Sequence, residues 1–528
     1  MAKAPQTQHI SAPTVVVKHK GLLTMALMLG TIMQVLDTTI ANVALPHMAA
    51  SLGAAQNEIT WVLTSYIVAA AIATPLTGWV SDRIGQKRLF IASVIGFTVA
   101  SALCGIATSL PEMVLFRITQ GICGAMIAPL AQTVLLNINP KERIGQAMAI
   151  YGMGIMVAPI IGPTLGGYLT ESFDWRWVFL INLPVGVLCV TMLALYMPDT
   201  EIKIRRFDFF GFGMLALGVG ALQMMLDRGA DNSWFQSMET WVELGLVISG
   251  FWVFLVHSFT AEHPFIDLRI FKDLNFTLGS LFMFIVGLTL FSGLALLPPL
   301  LQNLMGYPVI FSSIIMAPRG LATMVSMVIV GRLTGKVDAR IMMLFGIAMM
   351  CYSLYAMTGF DLQMDYWPVI ITGCIQGFGM GFLFVPLSTM AFATIAPKYR
   401  ADGTAMFSLV RNMGQGVGIS IVTAVLSNML QINHEELGDR LTATSQAVQN
   451  QMPSLLTGNP QVVAIVNGLV SQQAAMMSYL DDFWLMMLMS LAAVPLILLL
   501  RGAKKPEPSA KPKTAEEKAL ERAHAMAE

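Results

Sequence analysis

Asp37 stands in the middle of an apolar run that begins near Leu22 and ends at Leu45-Pro46. Placing a carboxylate there costs roughly 3 kcal/mol on membrane-insertion scales. Such a residue is a candidate for handling a proton, an ion or polar cargo. Arg117 poses the same problem near the start of another apolar run. Opposite charges on adjacent helices relieve both costs. A proton arriving at Asp37 would weaken that pair and turn protonation into a conformational bias. Burial disfavours the charged carboxylate while a nearby guanidinium favours it; the sequence leaves open which effect wins, and a purely structural ion pair is the alternative.

Other polar side chains interrupt apolar runs. Gln34, Thr38, Asn42, Tyr66, Gln120 and Gln376 are expected to face the interior of a bundle and line a cavity, because polar groups avoid lipid. In the second half of the chain Arg319 and Arg411-Asn412 are expected either to bind anionic cargo groups or to pair with backbone carbonyls. No intramembrane acid is read in that half to partner them. Enzymatic chemistry finds no support: there is no Walker-type loop, no HExxH and no GxSxG. Gly377, Gly379 and Gly381 fall within a span and read as packing. The five cysteines all lie in apolar runs and form no metal-ligand spacing, so they read as small core residues. No cofactor or metal site is expected.

The elements that must position these residues are membrane helices. The chain has 528 residues, 55% hydrophobic and 12% charged, against about 25% charged in an average soluble domain. Its apolar blocks are about 20 residues long, enough to cross a hydrocarbon layer of about 30 Å. Fourteen spans are expected, at 22–45, 59–80, 89–108, 111–137, 144–169, 176–197, 208–227, 240–260, 275–302, 309–333, 341–359, 367–396, 402–430 and 480–500. The first is expected to be a retained helix rather than a signal peptide. Most of the 31 lysines and arginines fall on one set of alternate loops and tails, so both termini are placed in the cytoplasm.

The halves repeat at a nearly constant offset. Pro140-Lys141-Glu142-Arg143 and Gly145-Gln146-Ala147-Met148 are echoed by Pro397-Lys398-Tyr399-Arg400 and Gly403-Thr404-Ala405-Met406. Gln120-Gly121 with Pro129-Leu130 is echoed by Gln376-Gly377 with Pro386-Leu387. The expected organisation is a cytoplasmic tail (1–20), a six-helix bundle (21–198), a two-helix insert with its loops (199–272), a second six-helix bundle (273–500) and a cytoplasmic tail (501–528). A polar periplasmic loop is expected over 431–479. Two similar halves suit a transporter that rocks about a central site.

Four motifs carry more specific information. Gly78-Trp79-Val80-Ser81-Asp82-Arg83-Ile84-Gly85-Gln86-Lys87-Arg88 follows the second span; its glycines permit a tight turn, and Asp82 can meet a helix N-terminus or an arginine. The start of the thirteenth span, just after Arg400, is the expected receiver, making a latch on the cytoplasmic side. This string resembles the loop 2–3 signature of the major facilitator superfamily. The run from Leu36 to Pro46 resembles the first-helix signature of its fourteen-helix drug:proton antiporters. Arg117-Ile118-Thr119-Gln120-Gly121-Ile122-Cys123-Gly124 resembles the helix 4 signature. The run from Gly154 to Gly167, with Pro159, Gly162, Pro163 and Gly166, resembles the antiporter signature of helix 5. Leu222 to Gly229 and the long loop before the last span resemble EmrB-type exporters.

The resemblance implies an all-α polytopic major facilitator fold that uses a proton gradient to export hydrophobic or amphipathic compounds across a bacterial inner membrane. It further implies Asp37 and Arg117 as the coupling pair, Gly78, Asp82, Arg83, Gly85 and Arg88 as the cytoplasmic gate, and helix 5 as the antiporter helix. A periplasmic adaptor and an outer-membrane channel are implied partners, alongside membrane lipid, with no nucleic acid. An exporter of one endogenous siderophore, fatty acid or lipid-like metabolite is the alternative, and an uptake symporter a further one.

Overall fold

A computed structural model describes residues 15, 17–55, 58–203, 205–230, 233–441 and 460–500. The described chain is helical. Thirteen of its helices are long and apolar enough to cross a membrane, or fourteen if a bent pair is counted as one span. We number the spans α1 (Lys20–Leu52), α2 (Trp61–Ala73 and Leu76–Ile84), α3 (Gln86–Ile106), α4 (Leu110–Gly124 and Ile127–Ile138), α5 (Ile144–Ser172), α6 (Trp177–Leu180 and Asn182–Tyr196) and α7 (Phe209–Arg228). They continue as α8 (Met238–Thr260), α9 (Leu274–Pro299), α10 (Val309–Leu333), α11 (Ala339–Met357), α12 (Trp367–Ala393), α13 (Arg400–Asp439) and α14 (Pro460–Leu491 and Val494–Leu499).

The breaks within spans have local causes. Helix α2 bends by 61° between Ala73 and Leu76. Pro75 sits in that break; it has no N–H to donate, and its ring crowds the carbonyl four residues back. Pro129 and Pro184 stand just after the breaks in α4 and α6. Pro298 and Pro299 end α9, which passes into a π turn over Leu300–Leu304.

The halves are built alike. In the first, α1 packs on α5 and α6, and α4 on α2 and α3; in the second, α9 packs on α13, and α12 on α10 and α11. The halves meet where α5 lies against α10 and α12, and where α13 lies against α2 and α4. The insert helix α7 leans on α2 and α13, and α8 packs on α7.

One expectation is overturned. The stretch 431–479 is not simply a loop: α13 continues to Asp439, and α14 begins at Pro460. Asn433 Nδ2 donates to Ser478 Oγ at 3.1 Å, so the two extensions are clasped side by side. Gln, Asn and Ser suit a solvated helix surface as well as a loop, so polarity alone did not separate the two. The segment 442–459, and the expected tails up to 14 and from 501, lie outside the described residues.

Candidate functional site

Asp37 and Arg117 are brought together with no exposed side-chain surface on either. Arg117 Nη1 donates to Asp37 Oδ2 at 2.6 Å. The other carboxylate oxygen accepts from Gln120 Nε2 and from Asn182 Nδ2, each at 2.8 Å. Asn182 also donates to Ser101 Oγ at 2.9 Å, and Ser101 donates to the Phe179 carbonyl at 2.9 Å. Arg117 is held in turn by the Val62 carbonyl at 2.9 Å and by Gln120 Oε1 at 2.8 Å. The Tyr66 ring lies under its guanidinium at 4.3 Å. Five spans thus meet around this ion pair, α4 and α6 touching the carboxylate itself, and charge-assisted bonds of this kind are the strong ones.

Glycines on α4 allow the approach. A side chain at Gly121 would strike the Tyr66 carbonyl on α2, and one at Gly124 would meet the Phe97 ring on α3. Because Gln120 is both donor to Asp37 and acceptor from Arg117, protonating the carboxylate would alter all three groups together. The arrangement can hold a proton in exchange for an ion pair.

On the basic side, cytoplasmic by the positive-inside rule, a second set of charges ties the halves together. Contrary to the expectation that the start of α13 receives it, Asp82 does not reach that helix directly; it pairs with an arginine, the other partner expected of it, Arg205 at 3.0 Å. Arg205 also pairs with Asp402, in the first turn of α13, at 3.1 Å. A Cβ at Gly78 would overlap the Asp402 carboxyl. Arg400 donates to the Leu136 carbonyl and to Asn137 Oδ1, both at 3.0 Å, and Thr133 and Thr404 share a 2.6 Å bond. These contacts close the two halves on the basic side. Burial works against the charge of Arg205, but the Asp402 and Asp82 carboxylates outweigh it and hold its pKa above the usual arginine value. Gly85 adopts φ +88°, a backbone conformation that glycine reaches without strain, and the Gln86 N–H donates to Thr200 Oγ1 at 2.8 Å. Arg83 and Arg88 are exposed.

Partly exposed ion pairs contribute up to about 1 kcal/mol each. Arg205 makes two such pairs, so replacing it by glutamine should favour the cytoplasm-open form by up to about thirtyfold. The rate at which a cysteine placed at Thr404 is labelled from the cytoplasmic side, in a chain without its native cysteines, measures this. An unchanged rate would remove Arg205 from the gate.

Helix α5 is clamped between α1 and the second half. Side chains at Gly154, Gly162 and Gly166 would run into Met28, Thr39 and Ile40 of α1; at Gly145 the obstacle is Thr334, next to α10. Gly167 borders Ile310. Pro159 and Pro163 lie within the helix, and Pro159 lines a cavity with Met156 and Ile160. The remaining walls of that cavity come from α9 to α12 and include Arg319, Gln376, Met316 and Met380.

The other expected cavity residues are scattered. Tyr66 and Gln120 belong to the Asp37 cluster, with Gln34 beside Tyr66. Thr38 donates to its own helix at the Val35 carbonyl, 2.8 Å away, and Asn42 is exposed. Arg411 lies beside Tyr151 and contacts Asn412 at 3.5 Å. The absence of an acid in the second half is corrected: Asp482 of α14 is completely buried. Asn182, Arg205 and Asp402 were also not singled out by sequence. Asn182 in the apolar string Leu180-Ile181-Asn182-Leu183-Pro184 was the available signal.

A sequence profile of the Major Facilitator Superfamily matches residues 27–425. The chain belongs to that superfamily. Within it, the chain is 35% identical over 474 residues to the "Multidrug export protein EmrB" of Escherichia coli K12, covering 88% of this chain and 92% of that one. The "Fatty acid resistance protein FarB" of Neisseria gonorrhoeae is 33% identical over 482 residues, covering 90% and 95%. This EmrB-like chain is therefore a multi-pass membrane transporter and not an enzyme. The fold matches solved structures of the human organic anion transporter MFSD10 (TM-score 0.58, 14% identity, 89% and 99% coverage) and of the proton:xylose symporter XylE (TM-score 0.57, 12% identity, 91% and 96% coverage).

Proposed function

We infer that this EmrB-like transporter is a proton-driven antiporter that exports hydrophobic or amphipathic compounds across a bacterial inner membrane by alternating access. The observation that supports this most is the buried Asp37–Arg117 pair with its shared Gln120. Protonating Asp37 cancels the charge that Arg117 holds, which releases α1 from α4 and gives the proton gradient a lever on the fold. Asp82, Arg205 and Asp402 act as the cytoplasmic latch. The cavity beside α5, lined by methionines and by Arg319 and Gln376, receives cargo; thioether side chains adapt to varied apolar shapes. A single endogenous amphiphile such as a fatty acid is the second reading, favoured by the similarity to FarB.

The clasped ends of α13 and α14 are the proposed docking surface for a periplasmic adaptor that leads on to an outer-membrane channel. Shortening both helices beyond Asn433 and Ser478 and joining them by a flexible linker should abolish co-purification with the adaptor and leave the transporter folded. Unchanged adaptor capture would discard that surface. The antiport reading itself is tested in everted vesicles with an acidified lumen and a pH-sensitive dye. Hydrophobic cations, weak acids and neutral amphiphiles are added in turn, and at least one should release protons from the lumen. Proton uptake with cargo would make the chain a symporter.

A further inference from the structure

Asp482 lies on α14, in the part of the helix that packs against α9, α11 and α13. None of its surface is exposed, and neither carboxyl oxygen has a hydrogen-bond partner among the described residues. The charged group it senses on its own helix is Asp481, a like charge, which accepts from Asn433 Nδ2 at 3.3 Å. Tyr479 lies one turn earlier. Helix α9 and the π turn after it contain no ionisable side chain; α11 carries Arg340 in its first turn as its one charged residue, with the half-buried thiol of Cys351 and the exposed phenols of Tyr352 and Tyr355. From α13, Asn433 faces this region and His434 contacts Asn467, while Glu435, Glu436 and Asp439 are exposed. Arg411 of the same helix is occupied near Tyr151 and Asn412.

The guanidinium of Arg319 lies on the other side of Gly293, out of contact with Asp482. Gly293 of α9 leaves a gap bordered by Met486, one helical turn beyond Asp482, and by Arg319. A Cβ at Gly293 would lie 3.4 Å from Met486 Cε and 3.5 Å from Arg319 Nη1 and Nη2. Those two nitrogens are themselves without hydrogen-bond partners among the described residues. The second half therefore contains the same two groups as the first, but apart. An ionised carboxylate without a donor and beside another carboxylate is far costlier than the neutral acid.

We propose that Asp482 is a second proton-binding site, a neutral acid in this cytoplasm-closed arrangement, whose ionised form is drawn to Arg319 through the gap at Gly293. The step is a proton transfer alone. The carboxyl O–H bond breaks, the proton passes to water on the side then open, and the guanidinium meets the charge left behind. Its place in transport rests on the proton-driven reading above, but the proton itself is detectable without transport.

Infrared spectroscopy of the full-length chain in detergent at neutral pH gives the test. Wild type should show the C=O stretch of a protonated carboxylic acid, retained in Asp37→Asn and lost in Asp482→Asn. If the asparagine variant fails to fold, Asp482→Glu keeps the question decidable, because the band should then change frequency. In Arg319→Gln the band should persist to higher pH, with its midpoint displaced by about one unit, a tenfold change in proton affinity. A band that Asp482 variants leave untouched, or a midpoint indifferent to Arg319, overturns the proposal. Assigned bands in a protein that moves no protons with cargo would uphold the proton site and discard the antiport reading instead.

Discussion

Replacing Arg117 by leucine should destabilise the folded protein by about 3–5 kcal/mol, the scale on which a buried pair fails when one partner is removed. The loss has identifiable parts. Asp37 would keep its bonds from Gln120 and Asn182 but lose the cation at 2.6 Å. Gln120 Oε1 and the Val62 carbonyl would each lose a donor. No solvent reaches the site to replace them, since neither charged side chain is exposed. Acid should recover part of the loss, because a protonated carboxyl no longer needs the cation.

The pairwise nature of the effect is the sharper expectation. Asp37→Asn combined with Arg117→Gln should cost less than the two single changes added together, by about 1–3 kcal/mol, as expected for residues in one network. Denaturation of the detergent-purified variants, followed by intrinsic fluorescence, measures each corner of the cycle. Strict additivity would mean that the two groups do not depend on one another.

The second large effect is on transport. Asp37→Asn keeps the shape of the side chain and removes its capacity to gain and lose a proton. Its amide oxygen can still accept from Arg117, so the variant resembles the protonated state. Cargo-dependent proton movement should fall by about 5- to 150-fold, the range spanned by ordinary coupling free energies. Cargo binding should survive, because the cavity beside α5 is lined by other residues, among them Arg319, Gln376 and Met156. A variant that binds cargo but cannot couple separates a proton-handling role from a packing role.

Much of this site was legible in the sequence, for one physical reason. A charge in an apolar run is so costly that it identifies itself, and that logic found Asp37, Arg117 and Arg319 without coordinates. It located Tyr66 and Gln120 as interior groups but misjudged their company: they serve the ion pair and not the cavity. Asn182 escaped because a neutral amide in an apolar string raises no comparable alarm, and its place at Asp37 depends on how α6 sits against α1. Arg205 was hidden for the opposite reason, being one cation among many on the basic side. Only the fold puts it between Asp82 and Asp402.

Asp482 shows how a boundary can mislead. It stands near the start of the last apolar run, where an acid reads as solvated, and its burial comes from α9, α11 and α13 closing around α14. The helical extensions past Leu430 and before Tyr479 were missed because polar helices lack the apolar periodicity by which helices are recognised. By contrast, the fourteen spans were readable because membrane helices must satisfy their backbone internally over a fixed thickness.

The central claim is that Asp37 exchanges a proton for the Arg117 ion pair during cargo export. The most direct measurement is cargo-induced proton release from acid-loaded vesicles carrying the purified chain, wild type beside Asp37→Asn, with cargo binding confirmed in both. Release is expected in the wild type and should be at least about fivefold lower in the variant. Undiminished release in the variant would contradict it, and would leave the buried pair as a structural bond with coupling carried elsewhere.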